Sequence, residues 1–319
     1  MTYRQGELIV ASDFNTFRTD VLDIWDVGNG DRGYGQIDTG VASSIPTVAI
    51  GEEIKRTEWE AFRDAAQNCS DHQGSTTTFP PTSEFNVGEI VEAHEADDGN
   101  AFDINGSLAI ITFNRLLFDA GAVSVFSTSA TNSRNADWDT QLQHRFTAVF
   151  PTVDAARYFF NSGGQIRFEA SLTGGSATPQ NDSWQEVVDQ MGTVYMNHDF
   201  TFFGGGVGWS GSSIGYFDLT TAFQQIAIGI DNSGGSYGGY GGNNDLTIEA
   251  RTLDGPTGPN GDTGRNLEFR IRFTDGSNNP FFDNVDGTMT SSIFYQIATS
   301  PLTIQVPIFT NSVVLNDGS

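Results

Sequence analysis

Between residues 267 and 273 apolar and charged side chains alternate without a break: Leu267, Phe269, Ile271 and Phe273 against Glu268, Arg270 and Arg272. A period of two belongs to an extended strand with one face buried and one face wet. A helix would scatter the same residues around its circumference. The pattern recurs. Leu142, His144, Phe146, Ala148 and Phe150 alternate with Gln143, Arg145 and Thr147. Ile166, Phe168 and Ala170 alternate with Arg167 and Glu169, and Leu246, Ile248 and Ala250 with Thr247, Glu249 and Arg251. Leu302, Val306 and Ile308 read as a last strand, which Pro307 places at an edge or a bulge. Several half-buried strands of this kind bury their apolar faces most simply by stacking two antiparallel sheets. The expected fold is mainly β, with an antiparallel, sandwich-like C-terminal domain over 105–319 and a small helical region before it.

That helical region carries a repeat. Gly6–Arg18 and Gly51–Arg63 share G-E-x-I-x-x-[ST]-[DE]-[FW]-x-x-F-R, and a looser third copy begins at Gly88. Each copy reads as an extended entry followed by an amphipathic helix. Ser12 and Thr57 are the N-cap candidates, and Thr57 with Glu60 fits a capping box. Phe14, Phe17, Val21 and Trp25 fall on one helical face, as do Trp59, Phe62, Ala66 and Cys69. The organisation expected is a docking region over 1–73, a linker with the third copy over 74–104, and the β domain. Within the latter, Asp154–Phe160 and Ser183–Gly192 read as short helices, and Gly-rich loops span 204–215 and 231–242.

The 319 residues carry a net charge of −25, from 40 acidic and 15 basic side chains, and Lys55 is the only lysine. Such a surface repels phosphate backbones and anionic lipid, so neither nucleic-acid binding nor membrane insertion is expected. Cys69 is the single cysteine, which rules out an intrachain disulfide, and it reads as a small buried hydrophobe. The four histidines lack zinc-ligand spacing, and His144 reads as a hydrogen-bonded core residue.

Gly28–Gly33 matches G-x-G-x-x-G, but it follows a helix and carries Asp31, the reverse of what a pyrophosphate site needs. Gly211–Gly215 matches G-x-S-x-G without a histidine after it in the chain, so it reads as a Gly/Ser loop. Asp-rich turns at 97–98, 254–255, 275–276 and 283–287 leave a structural calcium open as the one cofactor. Asp-Gly is also an ordinary hairpin turn. The loop from Gly234 to Asn244 offers Tyr237 and Tyr240, and the loop before it offers Trp209. These rings are the candidates for contact with a glycan or a partner. Phe14, Phe17, Trp25, Trp59 and Phe62 are the candidates for docking.

The order Ala156-Arg157-Tyr158-Phe159-Phe160-Asn161-Ser162-Gly163-Gly164-Gln165-Ile166-Arg167-Phe168, then Trp184–Met191, then Gly215–Thr220, then Val285–Ser291 is distinctive. Over roughly 130–295 it resembles a family of virion structural proteins of tailed bacteriophages, especially phages of cyanobacteria and other aquatic bacteria. The N-terminal units resemble those scattered through phage fibre and baseplate proteins. The resemblance implies a place in a tail fibre, baseplate or neck appendage, with other virion proteins as partners. It implies no catalytic residues. A homo-oligomer is expected, with a trimer as the leading state, made in the host cytoplasm and incorporated into the particle. A host-glycan receptor-binding module and a glycan-cleaving tailspike are the alternatives. The absence of a parallel β-helix repeat weighs against the tailspike.

Overall fold

The computed structural model describes residues 9–27, 32–40, 42–75, 104–206, 208–230, 244–259, 261–276 and 284–315. The chain divides into two compact units. The first holds 1–124 with 161–163 and 298–304, and the second holds the rest. The boundary at Ser124/Val125 lies later than the expected one at 104/105.

In the first unit, α1 (Ala11–Trp25) and α2 (Arg56–His72) are the helices of the two clear repeat copies, and α3 (Ile104–Phe113) joins them. α3 occupies residues expected to open the β domain. Its buried Ile104, Leu108 and Ile111 are spaced four and three apart, the helical period. Ser12 and Thr57 do not cap. The helices begin two residues earlier, with Val10 and Lys55 at the N-cap, and the acid of each copy does the work. Asp13 Oδ2 accepts from Val10 N at 3.1 Å, and Glu58 Oε2 accepts from Lys55 N at 2.6 Å. These acids occupy the same position of the repeat and each satisfies a free N–H at the helix start.

The two apolar stripes meet each other. Phe14 stands edge-on to Trp59, its repeat equivalent, with centroids 5.2 Å apart, and Phe17 lies 6.4 Å from its equivalent Phe62. Phe14, Phe17, Trp25, Trp59 and Phe62 are all 5% exposed or less. The rings expected to dock onto a partner are the core of this unit. Asn15 pairs at two points with the Val48 backbone, donating to its carbonyl (2.8 Å) and accepting from its N–H (3.0 Å). Arg18 Nε donates to Ile45 O at 2.6 Å. The extended lead-in of the second copy is thereby fastened to the helix of the first. Gln36 Oε1 accepts from Thr303 N, which ties 298–304 into the same unit. Leu302 is buried there and belongs to no strand.

The second unit is the sandwich. One sheet has the order β1 (Ser127–Arg134), β10 (Thr288–Gln296), β3 (Gln165–Thr173), β4 (Val194–Met196), β5 (Thr201–Phe203). The other runs β11 (Ile308–Leu315), β2 (Gln141–Val149), β9 (Asn266–Asp275), β8 (Asn244–Thr252), β7 (Gln224–Ile230), β6 (Trp209–Gly211). All neighbours are antiparallel. The alternating apolar faces point inward, and Phe168 of one sheet meets Phe269 of the other at 5.2 Å. Pro307 directly precedes β11, an edge strand, where its missing N–H costs no ladder bond.

Both pairs of sheet edges meet. Thr201 N donates to Ser212 O beside β5 and β6. Asn311 Nδ2 donates to Thr131 O, and Asn132 Nδ2 to Ser312 O, between β1 and β11. Edge strands that satisfy one another present little template for a further strand.

Two helices serve the sandwich. α4 (Val153–Asn161) starts at Thr152, whose Oγ1 accepts from Ala155 N at 3.0 Å. α5 (Pro179–Asp189) starts at Thr178, whose Oγ1 accepts from Asn181 N at 3.2 Å, with Pro179 in the first turn. Ser183, read as the start of this helix, is buried within α5, and its hydroxyl accepts from Asn244 Nδ2.

Candidate binding surface

Tyr237 and Tyr240 lie outside the described residues, as do the third repeat copy and Gly28–Asp31. Trp209 is 7% exposed. Its indole N–H donates to Val187 O at 3.0 Å, and its ring stacks on Phe203 and fills the space left by Gly229. It is a packing residue of the sandwich rather than a ring held out to a ligand. The Gly211–Gly215 stretch ends β6 and enters a 3-10 turn at Tyr216–Asp218, with the Ser212 hydroxyl accepting from Ile214 N. It has none of the strand–turn–helix geometry of a nucleophile elbow.

Asp254 and Asp286 of the Asp-rich turns are met by this chain's own donors, while 97–98 and Asp283 lie outside the described residues. Asp286 accepts from Ser176 N, from Ser176 Oγ and from Asn181 Nδ2, and these bonds hold its carboxyl below the ordinary range. Asp254 accepts from Asn266 N and Nδ2. Among the described residues no group of three His, Cys, Asp or Glu is placed to hold a metal ion. No helix among them is long and apolar enough to cross a membrane.

The buried titratable groups are structural. Cys69 is fully buried, and burial pushes its thiol up, away from thiolate character. His144 Nδ1 shares a hydrogen bond with Ser291 Oγ at 2.8 Å, the core role read from its strand position, and burial lowers its pKa to about 4. Burial lowers His72 to about 4 as well, against a smaller opposing effect from a hydrogen bond with the Ser162 backbone.

The outer faces of the two sheets differ. On the six-stranded sheet the charged halves of the alternation neutralise each other. Glu249 pairs with Arg270 and Glu268 with Arg251, both at 2.5 Å, while the Phe223 ring lies under both guanidinium groups. Such a layer is a charged strand face whose acids are buried and paired within the sheet.

The five-stranded sheet carries something else. Its register aligns Phe294 (β10) with Arg167 (β3), Arg167 with Tyr195 (β4), and Tyr195 with Phe202 (β5). In each strand these residues are flanked by inward-facing ones: Ile293, Ile166 with Phe168, Val194 with Met196, and Thr201. Alternation therefore sends the row outward. Tyr195 and Phe202 stack, 4.9 Å apart at 18°. Phe126, just before β1, places its ring 5.4 Å from the Arg167 guanidinium and 6.4 Å from Tyr195, and Phe294 lies 5.8 Å from the same guanidinium. Arg167 is held by Glu169 at 2.5 Å, and both stay partly open to solvent. Phe202 is 39% exposed. The Tyr195 hydroxyl is raised in pKa by partial burial, so it remains a neutral phenol across the physiological range.

Beside the row the face turns to hydroxyls. Thr131 Oγ1 and Ser292 Oγ are 2.9 Å apart, and Ser133 Oγ and Thr290 Oγ1 3.0 Å apart. The result is a narrow aromatic strip with one ion pair in it and hydroxyl pairs along one side. Local sequence contained part of its signal, an aromatic residue between inward-facing neighbours in Val194-Tyr195-Met196. The pairing of strands far apart in sequence assembles the strip. Comparison with protein-family models, with curated proteins and with solved structures finds no match.

Proposed function

We propose that this chain is a non-enzymatic structural component of a tailed-phage virion, a subunit of a tail fibre, baseplate or neck appendage that works as a homo-oligomer. The observation that carries the reading is the state of the segment on which the family resemblance rests. In 156–168, Ala156, Tyr158, Phe159, Phe160, Ile166 and Phe168 are buried. Phe150, Phe159 and Phe160 form an edge-to-face cluster, and Phe160 stacks on Tyr216 at 4.3 Å. These residues build a corner of the sandwich and leave no reactive group in an open cleft. A signature made largely of packing residues supports a building-block role for this segment. The acidic, closed-edge sandwich suits a subunit that stays soluble until it assembles.

The test is immunogold electron microscopy of purified particles with antibody against 125–319, together with mass spectrometry of their proteins. Gold at the tail tip, fibres or neck is the expected result and identifies the position. Unlabelled particles that also lack the chain's peptides would remove the virion reading. The aromatic strip favours a second reading, in which the same subunit contacts host glycan.

A further inference from the structure

We propose that the strip formed by Phe294, Arg167, Tyr195 and Phe202, with Phe126 over its middle, is a binding site for neutral carbohydrate. The inference concerns a surface of the sandwich and stands whether or not the chain is part of a particle.

Soluble proteins seldom leave contiguous aromatic side chains on a sheet's outer face without a use for them. Here the strand register places them in one row across neighbouring strands. The row covers three inter-strand steps, roughly 14 Å at the usual strand spacing, and is one residue wide. A stable protein partner needs about 800 Å² from each side and on the order of twenty residues. The strip is too narrow for that, and the rows beside it are hydroxyls already paired to one another. It fits a slender, linear occupant.

Charge narrows the chemistry. Arg167 and Glu169 cancel, so the strip has no net charge to offer a polyanion. The chain as a whole, at −25, repels one. Anionic polysaccharide and nucleic acid are therefore poor occupants. A neutral sugar matches every feature of the strip. Its C–H faces lie against flat rings, and its hydroxyls accept from the guanidinium and donate to the carboxylate. The rings are held before any ligand arrives, by the Tyr195–Phe202 stack and by the guanidinium between Phe126 and Phe294. Little side-chain entropy is then lost on binding.

The experiment is affinity electrophoresis of the full chain through native gels containing dextran, hydroxyethylcellulose or galactomannan. The expected result is retardation in at least one gel. In the Tyr195→Ala/Phe202→Ala variant the apparent affinity should fall by roughly tenfold or more, as loss of two stacking contacts requires. Circular dichroism checks that the variant folds. Should it not, Phe202→Ser alone, at an edge position of the short β5, serves in its place. Full migration in all three gels overturns the proposal, as does retardation that a folded variant retains. A variant that changes sedimentation but not retardation marks the strip as a subunit contact and overturns it as well.

Discussion

Acid should loosen this protein through two histidines, and the size of the effect follows from their burial. His72 sits in the first unit and His144 in the second, both without measurable exposure, and burial lowers each from 6.5 to about 4. His144 shows why. One ring nitrogen bonds Ser291, and the other is buried with no partner. A second proton would place an uncompensated charge and donor in the sandwich core.

Between these two pKa values the unfolded chain binds more protons than the folded one, so stability rises with pH. The full contribution is present above about pH 6.5 and is lost as pH falls toward about 4. At about pH 5 the unfolded imidazole is almost fully protonated and the folded one hardly at all. Each unit then loses about 2 kcal/mol relative to pH 7.5, with a slope approaching about 1.4 kcal/mol per pH unit. Asp20, Asp23, Asp26 and Asp245 act with the opposite sign. Burial raises them above 3.8, so acid relieves them as pH falls through their raised values and offsets part of the histidine effect.

The assay is urea unfolding at a series of pH values, followed for the native chain and for His144→Gln. Glutamine keeps a polar group near Ser291 and removes the titration. The variant starts less stable but should have a flatter pH slope in the second unit's transition. If native stability is constant within about 0.5 kcal/mol from pH 7.5 to 5, or if His144→Gln keeps the native slope, the burial argument is wrong.

Phe14→Ala should destabilise the first unit by about 3–5 kcal/mol in thermal or urea unfolding, because it opens a cavity between the two repeat helices. An unchanged transition would return Phe14 to the docking role that its sequence pattern suggested. Gly229→Ala should cost about 1–3 kcal/mol and shift the Trp209 fluorescence, since a β-carbon there would meet the indole at 2.1 Å. Native-like fluorescence and stability would refute this packing. Asn15→Ala removes both bonds to Val48 and should cost about 1–3 kcal/mol, with faster amide exchange at Val48. Unchanged exchange would show that the lead-in is held by other contacts.

Much of the sandwich was legible because alternation is a local property. Whether Phe269 faces in and Arg270 out depends on the pleat of that one strand, wherever its neighbours lie. The same holds for the repeat helices, whose aromatic stripes follow from spacing alone. Helix starts were less legible. Ser12 and Thr57 resemble caps, yet Asp13 and Glu58 satisfy the first free N–H groups from inside the helix. Either solution meets the same need, and local sequence does not choose between them. The segment at 104–113 misled because it is apolar and rich in isoleucine, although its buried positions follow the helical period.

The sequence by itself determined which residues are amphipathic and with what period, and hence a β sandwich preceded by helices. Tertiary structure alone decided what each apolar face meets. Phe14 and Trp59 found each other across a repeat, while Tyr195 and Phe202 came to the surface. Ser127 pairs with Tyr295, and Phe294 with Arg167, across long stretches of chain. Such contacts are fixed by how whole sheets pack, and no window of sequence contains them. Periodicity gives a side chain its direction, and only the pairing of distant strands gives it neighbours.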